Sequence, residues 1–99
     1  MANKSYVIMV FRSRQHALNF LDIMKENNIR GALIPTPKEL SLGCGFSIKF
    51  ENGFLNEVRS LNGKYDSHSN GMYSITVKND VLNYVKIDDL SILRRSLSR

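Results

Sequence analysis

One residue carries a reactive group that nothing else in the chain duplicates: Cys44, the sole cysteine, set between Gly43 and Gly45. A cysteine acts through its thiolate, which attacks electrophiles and exchanges sulfur with partner thiols. Glycine on both sides leaves the thiol without neighbouring side-chain bulk. It also allows close approach by a partner, or a backbone shape that other residues avoid. The segment leading to it, Ile34-Pro35-Thr36-Pro37-Lys38-Glu39-Leu40-Ser41-Leu42, holds both prolines. Pro35 and Pro37 fix φ and lack a backbone donor, so they are expected to end an incoming strand at Ile34 and to stiffen the loop. The stretch reads as a presented thiol. Its alternative is a buried cysteine serving as a small apolar residue at the start of a strand.

Other chemistries find less support. His16 and His68 lie far apart in the chain and give no metal-ligand spacing with Cys44, so no metal and no cofactor is predicted. A cysteine hydrolase needs a base and a third, orienting group; His16 could supply the first, but no residue can be named for the second. Lys and Arg number 14 against 9 acids, a net charge of +5, yet Arg94, Arg95 and Arg99 all follow the last acid, Asp89. The body is therefore close to balanced. It reads as a solvated surface with a basic tail, and nucleic acid is not an expected partner. Gly43-Cys44-Gly45-Phe46 shares part of an RNA-recognition strand signature. Cys44 stands where a stacking aromatic belongs, however, and no basic residue precedes Gly43.

The elements that must position the thiol follow from periodicity. Tyr6-Val7-Ile8-Met9-Val10-Phe11 has no charged residue and suits a central strand covered on at least one face. Ser13 is a good N-cap for a helix over 14–27, whose Ala17, Phe20, Leu21 and Met24 recur as an apolar stripe. A short strand over 31–34 precedes the prolines. Phe46, Ile48 and Phe50 then alternate with Ser47 and Lys49, a strand with one dry and one wetter face. Phe54, Val58 and Leu61 mark a second helix that is expected to stop at Asn62-Gly63. Residues 64–71 read as a polar loop, and residues 72–87 as a hairpin turning at Lys78-Asn79-Asp80.

This order predicts an α+β fold, a ferredoxin-like sandwich: an antiparallel sheet with two helices on one face, plus an extra C-terminal strand and a short tail. The topology sets the start of the third strand beside the end of the first. Cys44 is then expected near Arg12, Ser13 and Arg14, at the N-terminus of the first helix, where free N–H groups, the dipole and cations favour a thiolate. Ninety-nine residues form a single domain over 1–99, with a core over about 5–87 and a basic tail over 90–99. A lone cysteine makes no internal disulfide, the apolar run over 6–11 is too short to span a bilayer, and no signal-peptide pattern is present. A cytoplasmic setting is expected.

The segment Leu33-Ile34-Pro35-Thr36-Pro37-Lys38-Glu39-Leu40-Ser41, followed by Cys44-Gly45, resembles a family of small proteins described as selenium/sulfur (Se/S) carrier protein-like. Their pattern is an apolar strand, a helix, then I-P-x-P-[RK]-E-[IL]-S and C-G before an apolar strand. The resemblance runs over roughly residues 5–62. It implies a chalcogen-carrying role for Cys44, as a persulfide or selenide adduct. Donor and acceptor proteins for sulfur or selenium would be the partners, no membrane would be involved, and the chain would be a carrier and not an enzyme. Gly43, Gly45, Arg12, Ser13, Arg14 and Lys38 are the expected substrate- or anion-binding residues, with Pro35 and Pro37 shaping the loop. Lys38 stands where the family often has arginine and lacks its bidentate pairing. Self-association into a homo-oligomer is compatible with the sequence. The rival reading is a non-catalytic ferredoxin-like binding or regulatory module in which Cys44 is structural.

Overall fold

The structure, a computed structural model, describes residues 4–40, 45–65 and 67–87. It is α+β. In chain order it runs β1 (Lys4–Phe11), α1 (Arg14–Glu26), β2 (Ala32–Pro35), β3 (Phe46–Phe50), α2 (Leu55–Lys64), β4 (Gly71–Lys78) and β5 (Val81–Ile87). Single turns of tight helix at Lys38–Leu40 and Asn52–Phe54 punctuate the connections. The five strands form one antiparallel sheet in the order β2-β3-β1-β4-β5.

β1 lies at the centre because it can be buried on both sides. Val7, Met9 and Phe11 face the helices, whereas Ile8 and Val10 face away, and all five are buried. The helix-side core gathers Ala17, Phe20 and Met24 of α1, Ile48 and Phe50 of β3, Val58 of α2 and Met72 of β4. The expected register of β3 is therefore the observed one, with Phe46, Ile48 and Phe50 beneath the helices. On the opposite face Ile8, Val10 and Ile75 form a second cluster, with Leu40 and Ile34 packed against it. Each fully buried side chain of this size contributes about 1.5–3 kcal/mol.

Helix α1 is set by its ends. The Ser13 hydroxyl accepts a hydrogen bond from the His16 N–H at 3.3 Å. At the other end Asn28 turns left-handed at φ 62. The Asn28 N–H donates to the Lys25 carbonyl at 3.0 Å and the Ile29 N–H to the Met24 carbonyl at 2.9 Å, the paired bonds of a Schellman cap. Buried Ile29 anchors that turn against the core.

Three expectations are corrected. Pro35 is the last residue of β2, opposite Phe46, and so does not lie outside the strand. β2 is an edge strand, and an edge strand tolerates a missing donor. Helix α2 continues through Asn62-Gly63 to Lys64, and the Tyr65 N–H closes it onto the Leu61 carbonyl at 2.8 Å. Glycine weakens a helix by about 1 kcal/mol but does not terminate one. Ser47, on the expected wetter face of β3, is fully buried; its hydroxyl lies 2.8 Å from that of Thr36, which satisfies both. The expected tail over 90–99 lies outside the described residues.

The hairpin turns at Asn79 and Asp80, with φ 53 and 65, both left-handed. Two such residues make the type I′ turn that matches strand twist, and glycine is the better second residue. Asp80→Gly is expected to stabilise the domain by about 0.5 kcal/mol, read as a small rise in Tm. A fall in Tm would mean that the Asp80 side chain makes a contact worth more than its strain.

Candidate functional site

The end of the sheet at which β1 finishes and β3 begins collects most of the residues singled out from the sequence. Phe11 pairs with Phe46, so Gly45 comes in beside the last turn of β1 before the chain passes Arg12 and Ser13 into α1. Arg12, Arg14 and Lys38 are exposed, and Ser13 is half-buried in its capping role. Gly43 and Cys44 lie outside the described residues. So does the expected placement of the thiol.

Gly45 has a steric reason to be glycine. Its carbonyl accepts from the Thr36 N–H at 3.2 Å, tying the exit of β2 to the entry of β3. A Cβ added here would stand 3.1 Å from Thr36 Oγ1 and 3.2 Å from the Phe11 carbonyl oxygen. Thr36 is itself held by Ser47, and the Phe11 oxygen is backbone, so neither neighbour yields easily. Gly45→Ala is expected to cost about 1–3 kcal/mol of stability by denaturant unfolding. A neutral result would show that the proline loop is not seated against β1. Pro37 contributes through its carbonyl, which accepts from the Leu40 N–H at 2.9 Å and closes the tight turn carrying Lys38.

The fold also joins residues that spacing gave no reason to join. His16, in the first turn of α1, stacks on His68 with ring centroids 4.4 Å apart and an interplanar angle of 21°. His16 is half-buried. The loop carrying His68 is stitched by its own polar groups. Ser67 bonds to Asn62, the Gly71 N–H donates to Ser69 Oγ at 2.9 Å, and the Asn70 N–H donates to the Val10 carbonyl at 2.7 Å. A polar cleft of about 310 Å³ opens there beside Ser69, Gly71 and Lys86. Among the described residues no group of three His, Cys, Asp or Glu is placed to hold a metal ion. No helix among them is long and apolar enough to cross a membrane.

The family model described as "Putative Se/S carrier protein-like" matches residues 6–74, well over half of the chain. The chain belongs to that family. The match passes residue 62, where the motif-based resemblance stopped, and takes in α2, the His68 loop and the first half of β4. The Se/S carrier-like unit thus includes the three strands that meet at the Gly45 end, together with both helices. No curated protein and no solved structure matches the chain.

Proposed function

We propose that this Se/S carrier-like protein holds a persulfide or a selenium adduct on Cys44 and passes it to a partner protein, acting as a carrier and not as an enzyme. What supports this reading is the family match over residues 6–74, together with Gly45, which packs against the Phe11 carbonyl and Thr36 at the end of the sheet where α1 starts. Free N–H groups and the positive dipole end lie there, with Arg12 and Arg14 exposed alongside. That environment lowers a thiol pKa by favouring its anion.

The chemistry is exchange and needs no oxidant. The Cys44 thiolate attacks the outer sulfur of a donor persulfide; the new S–S bond forms as the donor's S–S bond breaks, and the donor leaves as a thiolate. Delivery is the reverse step: an acceptor nucleophile attacks the outer sulfur and Cys44 leaves as a thiolate. A donor with an S–Se bond loads selenium in the same way. Gly43 and Gly45 give access, Lys38 and the two arginines attract anionic donors, and Pro35 and Pro37 limit loop wandering. The carrier needs Cys44 as a free thiol before each loading, and a reducing, cytoplasmic setting suits that requirement. The strand order, with both helices on one face, supports reading the sheet as a ferredoxin-like sandwich with β5 added at its edge.

Incubation with a cysteine desulfurase and cysteine, followed by intact mass analysis, tests the proposal. A gain of one sulfur atom, removed by a thiol reductant, is expected. An unchanged mass with sulfur and with selenium donors alike would overturn the carrier reading in favour of a binding module.

A further inference from the structure

β3 runs from Phe46 to Phe50, so its far end lies away from the Gly45 end of the sheet. A cleft of about 550 Å³ lies there, between the turn that follows α1 and the turn that follows β3. Its lining includes Tyr6 and Phe54, both half-buried, and two exposed cations, Arg30 and Lys49, with one acid, Glu51, while Phe50 beneath it is buried in the helix-side core. We infer that this cleft binds a small organic anion with a planar apolar body, an aromatic carboxylate.

The cleft is concave for a reason built into the chain. After the Schellman cap of α1, Ile29 is buried and Arg30 is turned out to solvent. Gly31 then presses the connection onto the core: a Cβ at this position would meet Ile48 Cγ2 and Met24 Cε at 3.0 Å and Leu21 Cδ1 at 3.1 Å. The opposite wall projects because Asn52–Phe54 forms a tight turn that leaves Phe54 half-buried. The volume lies within the range of small-molecule sites, roughly 300–1,000 Å³.

The lining selects the ligand's chemistry. The half-buried rings of Tyr6 and Phe54 leave apolar surface in the cleft that suits a flat apolar body. Lys49 is not free to wander, because its Nζ sits 4.4 Å from the centroid of the Tyr6 ring. Arg30 presents a planar fork that matches a carboxylate with two parallel hydrogen bonds. Glu51 disfavours a second negative charge on the ligand, so a monoanion fits best. Among the described residues none at the Gly45 end or at the start of α1 lines the cleft, so this site stands whether or not the chain carries sulfur.

Indoleacetate serves as the probe and tryptophol, its neutral alcohol counterpart, as the control, followed by amide shifts in ¹H–¹⁵N spectra of the full chain. Saturable shifts are expected at Gly31, Ala32, Glu51 and Gly53, with tryptophol bound about tenfold more weakly. Arg30→Gln and Lys49→Gln replace exposed side chains, so the other resonances should remain in place, and each should weaken indoleacetate by about tenfold. Equal binding of the alcohol, unchanged affinity in both variants, or shifts confined to the Gly45 end would each overturn the inference.

Discussion

Cys44→Ser is expected to abolish adduct formation completely while leaving the domain folded. Serine is close in size, so packing changes little, but its hydroxyl does not ionise near neutral pH and cannot attack a persulfide. No second cysteine exists to take over. Intact mass after loading should show the extra sulfur on the wild type alone. On the proposed placement at the start of α1, the thiol should label with iodoacetamide at mildly acidic pH faster than free cysteine, because helix N–H groups and cations there would favour its anion. Arg12→Gln or Arg14→Gln should slow that labelling. An exposed charge pair contributes on the order of 0.2–1 kcal/mol, so the rate should fall roughly 1.4- to five-fold per arginine. An adduct that persists in Cys44→Ser sinks the proposal. So does a thiol that labels only when the protein unfolds, because Cys44 is then a core residue.

The second large effect is on stability. Phe20→Ala is expected to cost about 3–5 kcal/mol, a substantial part of the 5–15 kcal/mol that a domain typically has. Phe20 is fully buried, with its ring centroid 6.3 Å from that of Phe11, and joins α1 to the central strand. At this chain length Tm should fall by more than about 12 °C. Tyr84→Ala provides the contrast, because Tyr84 lies on the edge strand β5 and is 44% exposed. Its cost should stay below about 1 kcal/mol even though its ring meets Tyr73 edge-on at 6.2 Å. If the two variants were equally destabilised, the helix-side core would be wrongly assigned.

Much of the fold was legible because its signals are local. A cap at Ser13, an apolar stripe from Ala17 to Met24, the alternation Phe46-Ile48-Phe50 and the turn at Asn79-Asp80 each lie within a few residues of one another. Each acts through short-range sterics and hydrogen bonding. The errors arose where local rules meet long-range contacts. Pro35 looks like a strand terminator until β2 proves to be an edge strand. Gly63 looks like a helix stop, but the backbone bonds of α2 carry through it.

The sequence by itself determined the family, through the proline segment and Cys44-Gly45, and the α+β character, through periods that alternate between strand and helix. Only the tertiary structure decided which distant residues meet. It stacked His16 on His68, paired the hydroxyls of Thr36 and Ser47, and buried Ile8 and Ile75 on the face away from the helices. It also set Arg30 and Lys49 around one aromatic cleft. The physical reason is that periodicity reports which face of an element is apolar, whereas a contact between residues remote in the chain depends on strand order and register. Those are fixed by the packing of the whole sheet at once.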